Sequence, residues 1–358
     1  MSQFARSTDF EIKLSGSVVE DETIAAWVVE QDVNQPDMCV LTLHDPDHAH
    51  ASRIELGAAL EVAVHDPNDE LIEIFDGEVV GLEPTFRAGG ESLCVVRAFN
   101  RLHRLLRGRH SRTYVEQTDS QIAQRIASEN DLASDCDSTP TQYEHVYQHN
   151  QSDYDFLRAR AARIGFEVMV VKRELLFRKP RRDVDSGLEL VLAEPGVDMP
   201  MMSFTPRMSS SGLVDKVEVR GWDPVKKEEV VATYEGQRSP LGKTPGYQKA
   251  KKAFGARVTY QVDMPVSDVA EAEALAEARF HELAMDYITG EAYCIGHPKL
   301  KAGLVVKLVP NPDNASDRFN GKYRIAGATH RYGHGSSAGM GGGYTTTLRV
   351  RRDAEEGA

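Results

Sequence analysis

Apolar and polar residues alternate through the first hundred positions. Phe10-Ile12-Leu14, Cys39-Leu41-Leu43, Leu60-Val62-Val64, Ile72-Ile74, Val79-Leu82 and Leu93-Val95-Ala98 each repeat with a period near two. That spacing places every second side chain on one face of a strand. Turn chemistry falls between the runs, at Asp45-Pro46, Asp66-Pro67-Asn68-Asp69, Asp76-Gly77 and Ala88-Gly89-Gly90. Short antiparallel strands at this spacing predict a barrel or a sandwich.

The period changes over 111–180. Asp119-Ser120-Gln121 can cap a helix carrying Ile122, Ala123, Ile126 and Ala127 on one face. A polar break, SDCDSTPTQ, separates it from Ser152-Asp153-Tyr154-Asp155-Phe156-Leu157, a variant capping box opening a second helix that runs to Gly165. FEVMVV and ELLFRKP follow as a predicted hairpin, so the segment reads as a small α+β domain. Residues 181–202 read as irregular and 233–256 as a flexible loop rich in Gly, Lys, Pro and Ser. Between them, LVDKVEVRGWDP (213–224) has strand character and closes in a Gly-Trp-Asp-Pro turn. The longest predicted helix runs from Ser267 to about Thr289, with Val269, Ala272, Ala276, Phe280, Leu283 and Tyr287 along one side. Strands return at 292–295, 305–308, 323–329 and 344–349, the last two separated by the Gly-rich stretch 333–343. The order is β-rich, α+β, then β-rich with one long helix.

Composition narrows the function classes. The 358 residues are enough for two or three domains at roughly 150 residues each. No run approaches the roughly 18 apolar residues of a membrane span, and the N-terminal segment lacks the apolar core of a secretory signal. With 42 Lys+Arg against 55 Asp+Glu, the formal charge of -13 argues against a surface built to grip nucleic acid or an anionic membrane. Cys39, Cys94, Cys136 and Cys294 form no CxxC pair. Cys39 and Cys94 lie in apolar strands, as reduced buried thiols do.

Chemistry-bearing clusters are few. HDPDHAH (44–50) brings together metal-ligating residue types, with His44, His48 and His50 as candidate ligands. It lacks a distant fourth ligand, and a solvated turn after a strand accounts for the same residues. Arg97, Arg101, Arg104, Arg107, Arg109 and Arg112 could grip phosphate, yet the run lacks a repeated aromatic, Phe99 standing alone. A solvated face or a patch for an acidic protein partner fits them better. The glycines of 333–343 follow no GxGxxG spacing, and a strand rather than a helix comes next, so they make no phosphate cradle. No GxSxG, HExxH or Cys-His arrangement occurs. Neither a catalytic residue nor a cofactor site is expected, and the chain does not read as an enzyme.

One segment carries a specific resemblance. VYQHNQSDYDFLRARAARIGFEVMVVKRELLFRKP (146–180) resembles the late control protein D or baseplate-hub family of contractile-tailed phages, which includes the hub portion of the VgrG spike proteins of type VI secretion. The matching features are Tyr147-Gln148, Ser152-Asp153, Phe156-Leu157 and Gly165-Phe166. SRTYVEQTDSQIAQRIA (111–127), VEVRGWDPVKKEEV (217–230), ITGEAYCIGHPKLKAGLVVKL (288–308), FNGKYRIAGATHRYGHG (319–335) and YTTTLRV (344–350) are similar to further family segments and keep their order.

The resemblance implies a mainly β fold with α+β insertions, built on two barrels like those of tail-tube subunits. The first tube-like barrel is expected over 1–110, completed by about 203–232. An α+β insertion domain spans 111–202, a loop or linker 233–256, and a second tube-like barrel with one long helix 257–358. The family's VgrG members continue into an oligonucleotide-binding fold and a needle. This chain ends at RRDAEEGA, so a hub with its spike on a separate polypeptide is expected. The implied role is a structural, homotrimeric baseplate hub of a phage tail or contractile injection system, assembled in the bacterial cytoplasm. It would join a six-fold inner tube to a three-fold spike protein and contact other baseplate components, with a tape-measure protein as a further candidate partner, and with no direct nucleic acid and no stable membrane insertion. Two rival readings are a baseplate-associated cell-wall hydrolase and a metal-dependent binding module using His44, His48 and His50.

Overall fold

The computed structural model describes residues 9–87, 92–193, 200–223, 226–262, 266, 268–333 and 343–356. The fold is mainly β, organised around twelve long strands. The first six are β1 (Phe10–Leu14), β2 (Ile24–Asp32), β3 (Met38–His44), β4 (Ala59–His65), β5 (Leu71–Pro84) and β6 (Leu93–Phe99). The second six are β7 (Asp185–Leu192), β8 (Pro200–Met208), β9 (Ile288–Ile295), β10 (Val305–Val309), β11 (Gly321–Gly333) and β12 (Gly343–Arg352). They pair in the order β1-β4-β5-β6-β3-β2-β11-β10-β7-β8-β9-β12, and β12 pairs back onto β11. The second six thus form a closed barrel. The first six curl into a barrel whose outer strands, β1 and β2, are bridged by side chains, with the Phe10 and Trp27 rings 5.9 Å apart edge to face.

The two barrels share one ring order. Numbered within each set, the neighbours run 1-4-5-6-3-2 in both. They differ in the first strand: β1 is antiparallel to β4, whereas β7 is parallel to both β10 and β8. The barrels are fused along β2 and β11, antiparallel in register from Ala26 opposite Gly333 to Asp32 opposite Gly327.

The alternation seen in the chain is the cause of the first core. Cys39, Leu41 and Leu43 on β3 and Leu60, Val62 and Val64 on β4 are fully buried in one cluster around Trp27. On β6 the inward residues are Cys94, Val96 and Ala98, while Leu93 and Val95 are half-buried on the other face. A run apolar on both sides does not reveal its phase. Cys39, Cys94 and Cys294 are buried free thiols, and burial pushes the Cys94 thiol pKa up.

Each barrel carries an α+β insert. The first holds α1 (Asp119–Glu129) and α2 (Asp153–Arg163) against the strands Glu167–Val171, Glu174–Arg178 and Ala133–Cys136, beside the pair His110–Thr118 and Gln142–Gln151. Thr118, one residue earlier than expected, caps α1 in a reciprocal box with Gln121. Ser152 caps α2 through the Asp155 N–H, and Gly165 follows the helix at φ 68°, a backbone conformation glycine adopts without strain. The second insert packs α4 (Val269–Ala284) on the sheet Glu228–Glu235, Lys216–Asp223, Val258–Gln261.

Three expectations are corrected here. Much of 181–202 is strand, because β7 closes the second barrel between β10 and β8. Residues 203–232 do not complete the first barrel: β8 belongs to the second, and Lys216–Asp223 pairs only within its own insert. Within 233–256, α3 (Gly246–Phe254) is helical, beginning where the Gly246 N–H donates to the Asp353 carbonyl. The long helix therefore belongs to an insert, and the second barrel begins well before residue 257. The Gly-rich stretch lies outside the described residues except for its ends, Gly333 and Gly343. Among the described residues no helix is long and apolar enough to cross a membrane.

Candidate interaction site: the cleft between barrels and inserts

The His-rich segment folds as a turn and a short helix. Asp45 accepts hydrogen bonds from the His50 and Ala51 backbone N–H groups at 3.0 Å each, which fixes the segment as a capped turn. His48 adopts φ 54°, and its ring lies 4.6 Å from that of Phe86. His44 ends β3. Among the described residues no group of three His, Cys, Asp or Glu is placed to hold a metal ion, His44, His48 and His50 included.

The six clustered arginines are largely engaged within the molecule. Arg101 pairs with Asp76 at 3.1 Å, Arg104 with Glu78 at 2.5 Å, and Arg97 with Glu83 at 2.6 Å. Arg112 bonds Gln148, Glu129 and Asp153, and Arg109 donates to the Asn150 carbonyl. The Arg101 and Arg104 pairs hold the first insert to β5, the Arg97 pair joins β5 to β6, and the Arg109 and Arg112 contacts lie within the insert. Burial raises the Glu78 carboxyl, but the hydrogen bond from Arg104 and the charges of Arg104 and Arg101 outweigh it and bring the net shift below the ordinary value.

A more open site lies elsewhere. A cleft of about 760 Å³ lies where both barrels and both inserts meet, lined among others by Asp32, Arg158, Arg182, Glu277, Arg324 and Arg349. Its charges come from distant parts of the chain. β2 supplies Asp32, α2 supplies Arg158, and the connection into β7 supplies Lys179, Arg182 and Asp183. Arg238 comes from the second insert, Glu277, His281 and Glu282 from α4, and Arg324, Arg349 and Arg351 from β11 and β12.

Three of these cations are neutralised. Arg324 pairs with Glu167 at 2.5 Å, Arg351 with Asp286 at 2.5 Å, and Arg349 with Asp32. Arg182 differs. Its guanidinium donates to His281 Nδ1 at 2.8 Å, and no carboxylate among the described residues is within ion-pair distance. Burial, then the charges of Arg182 and Lys179, lower the His281 pKa to about 4, so the ring is neutral and Nδ1 is free to accept. The Nε2–H then faces the Tyr234 hydroxyl at 3.3 Å and the Glu277 carboxylate at 3.8 Å. Burial also lowers the Arg182 pKa, and the Arg324 charge lowers it further, while Asp353 opposes them.

The sequence did not mark this cleft, because its cations are scattered over more than 190 positions. The one local sign is the basic run Arg178-Lys179-Pro180-Arg181-Arg182, which straddles the end of the predicted hairpin and the start of the irregular stretch 181–202.

A family model described as the Alg8 N-terminal domain matches residues 5–333. The chain belongs to that family. No curated protein matches it by sequence. Solved structures share its fold. The 43 kDa tail protein of prophage MuSo2 from Shewanella oneidensis is 14% identical, with a TM-score of 0.69 over 97% of this chain and 99% of that one. A tail protein from Neisseria meningitidis MC58 is 12% identical, with a TM-score of 0.69 over 97% of each chain. An Escherichia coli protein is 15% identical, with a TM-score of 0.62 over 97% of this chain and 78% of that one. It is described as a type VI secretion component with structural similarity to bacteriophage T4 tail proteins.

Proposed function

We propose that the chain is a structural hub at the baseplate of a contractile phage tail or injection system, a non-enzymatic adapter between a six-fold inner tube and a three-fold spike. One observation carries this reading: a single chain holds two six-strand barrels with the same order of neighbours, fused through β2 and β11. Three copies in a ring would present six barrels of like construction to a tube and three-fold symmetry to a spike. Such a ring closes through heterologous contacts. The shared fold of phage tail proteins and a type VI secretion component supports the setting.

Under this reading the work is mechanical. The hub seats a separate spike protein on one side, starts tube assembly on the other, and contacts other baseplate components and the end of a tape-measure protein. It is assembled in the bacterial cytoplasm as part of the particle. The ion pairs that hold the first insert to its barrel, Arg101 to Asp76 and Arg104 to Glu78, would keep the subunit rigid under load. The test is the mass of the full chain in solution, alone and mixed with the spike protein encoded beside it. A trimer in either case is the expected result. A monomer that ignores the spike overturns the hub.

A further inference from the structure

The cleft between the barrels and inserts is locally basic in an acidic chain. Its lining carries seven Lys and Arg, namely Arg158, Lys179, Arg182, Arg238, Arg324, Arg349 and Arg351, against five carboxylates, Asp32, Glu167, Asp183, Glu277 and Glu282. The whole chain is at -13. Three of the seven cations are neutralised by ion pairs, but Arg158, Lys179, Arg182 and Arg238 have no carboxylate within ion-pair distance among the described residues.

Two of the guanidiniums are also short of acceptors. Arg182 is half-buried, and among the described residues its side-chain hydrogen bond goes to an uncharged imidazole. Arg324, eleven per cent exposed, has a buried Nε–H without an acceptor although its Nη2 reaches Glu167. A buried donor left unmade costs free energy, and the Arg324 charge acting on Arg182 adds to that cost. An anionic group entering the cleft would accept these donors and relieve the repulsion.

We infer that this cleft is a docking site for an acidic segment of a partner protein. Its size exceeds what one small anion fills. Its cations are interrupted by Glu277, Asp183 and Glu282, so a strand of closely spaced phosphates would meet repulsion at each. A peptide can place its carboxylates opposite Arg182 and Arg238 and its neutral residues opposite the acids. Charge-assisted, two-point contacts from arginine suit carboxylates. The docking stands on the cleft alone and does not require the hub reading.

The test uses the full-length chain and a fluorescent decaglutamate peptide, followed by anisotropy at low and moderate salt. Decathymidylate and inorganic phosphate serve as competitors. Saturable binding is expected, weakened at least tenfold in Arg182→Gln and several-fold in Arg238→Gln, whose exposed side chain can be changed without disturbing the fold. Binding should weaken as salt rises. The inference is overturned if the peptide does not bind, if neither variant weakens it, or if decathymidylate or phosphate displaces it at equal or lower concentration. Because the readout is peptide affinity, a monomeric chain that binds would leave this site standing while removing the hub.

Discussion

Trp27 and Tyr332 face each other across the strand pair that fuses the two barrels, their rings stacked with centroids 5.8 Å apart. Phe10 meets Tyr332 edge-on at 4.6 Å, and Tyr344 lies 5.5 Å from Trp27. β1, β2, β11 and β12 thus share one aromatic cluster, which fills the gap where β1 and β2 do not pair. Trp27 is completely buried at its centre. Trp27→Ala should cost about 3–5 kcal/mol, the range for truncating a large buried aromatic side chain. Urea unfolding of the full chain checks this, and a loss below about 1 kcal/mol would show that the seam is held by backbone pairing alone.

Glu167 and Arg324 tie the first insert to the second barrel through a nearly buried ion pair. Removing one partner leaves the other charged in a poorly solvated site, so Glu167→Gln is expected to lose about 3–5 kcal/mol. Replacing both residues with methionine should recover most of that loss. Denaturant midpoints of the single and double variants decide between a pair that stabilises and one that merely satisfies itself. If the double variant is as weak as the single, packing around the pair matters more than its charge.

How much of this was legible in the chain depends on where each contact lies. The first barrel was readable because Cys39-Leu41-Leu43 and Leu60-Val62-Val64 show their inward faces locally, and Ser152 announces α2 with its cap. β7 was not, since Asp185, Ser186 and Gly187 open it with polar, turn-forming residues, and its place is set by pairing with Val305–Val309 more than a hundred positions away. The duplication of the barrel was expected from the family resemblance but is not visible in the residue pattern. It resides in neighbour order, and an insert of more than seventy residues separates β8 from β9. The cleft cations belong to the same class, because no window of sequence holds Arg182, Arg238 and Arg349 together.

Gly77 sits buried in β5, opposite Leu60 of β4. A Cβ added there would press on the Phe99 carbonyl oxygen and come within 2.5 Å of Phe75 Cζ. The carbonyl belongs to the neighbouring strand β6 and cannot swing aside as a side-chain end would. Gly77→Ala is therefore expected to destabilise the chain by about 1–3 kcal/mol, the range for overpacking a filled site. Thermal unfolding measures it. Gly16→Ala is a useful contrast: an added Cβ meets nothing within 4 Å there, so any loss reflects its φ of 80° alone.

His330 gives the second barrel a dependence on pH. The ring is fully buried, and its Nε2 lies 3.1 Å from the Leu300 carbonyl, which only accepts, so Nε2 carries the proton. Nδ1 then accepts from the Tyr344 hydroxyl at 2.7 Å. Burial lowers the His330 pKa to about 3, against an ordinary value of 6.5. The unfolded chain therefore binds a proton that the folded chain refuses. The stability from this group is complete above pH 6.5 and is lost progressively as pH falls toward 3. Between pH 7 and pH 5 the loss should be about 2 kcal/mol by proton linkage. His281 and His297, whose pKa values are also lowered, add losses of the same sign, so the comparison must be with a His330→Gln variant. Urea unfolding at the two pH values should show the wild type falling further than the variant by that amount. Equal falls would mean that the buried imidazole finds its proton without unfolding the barrel.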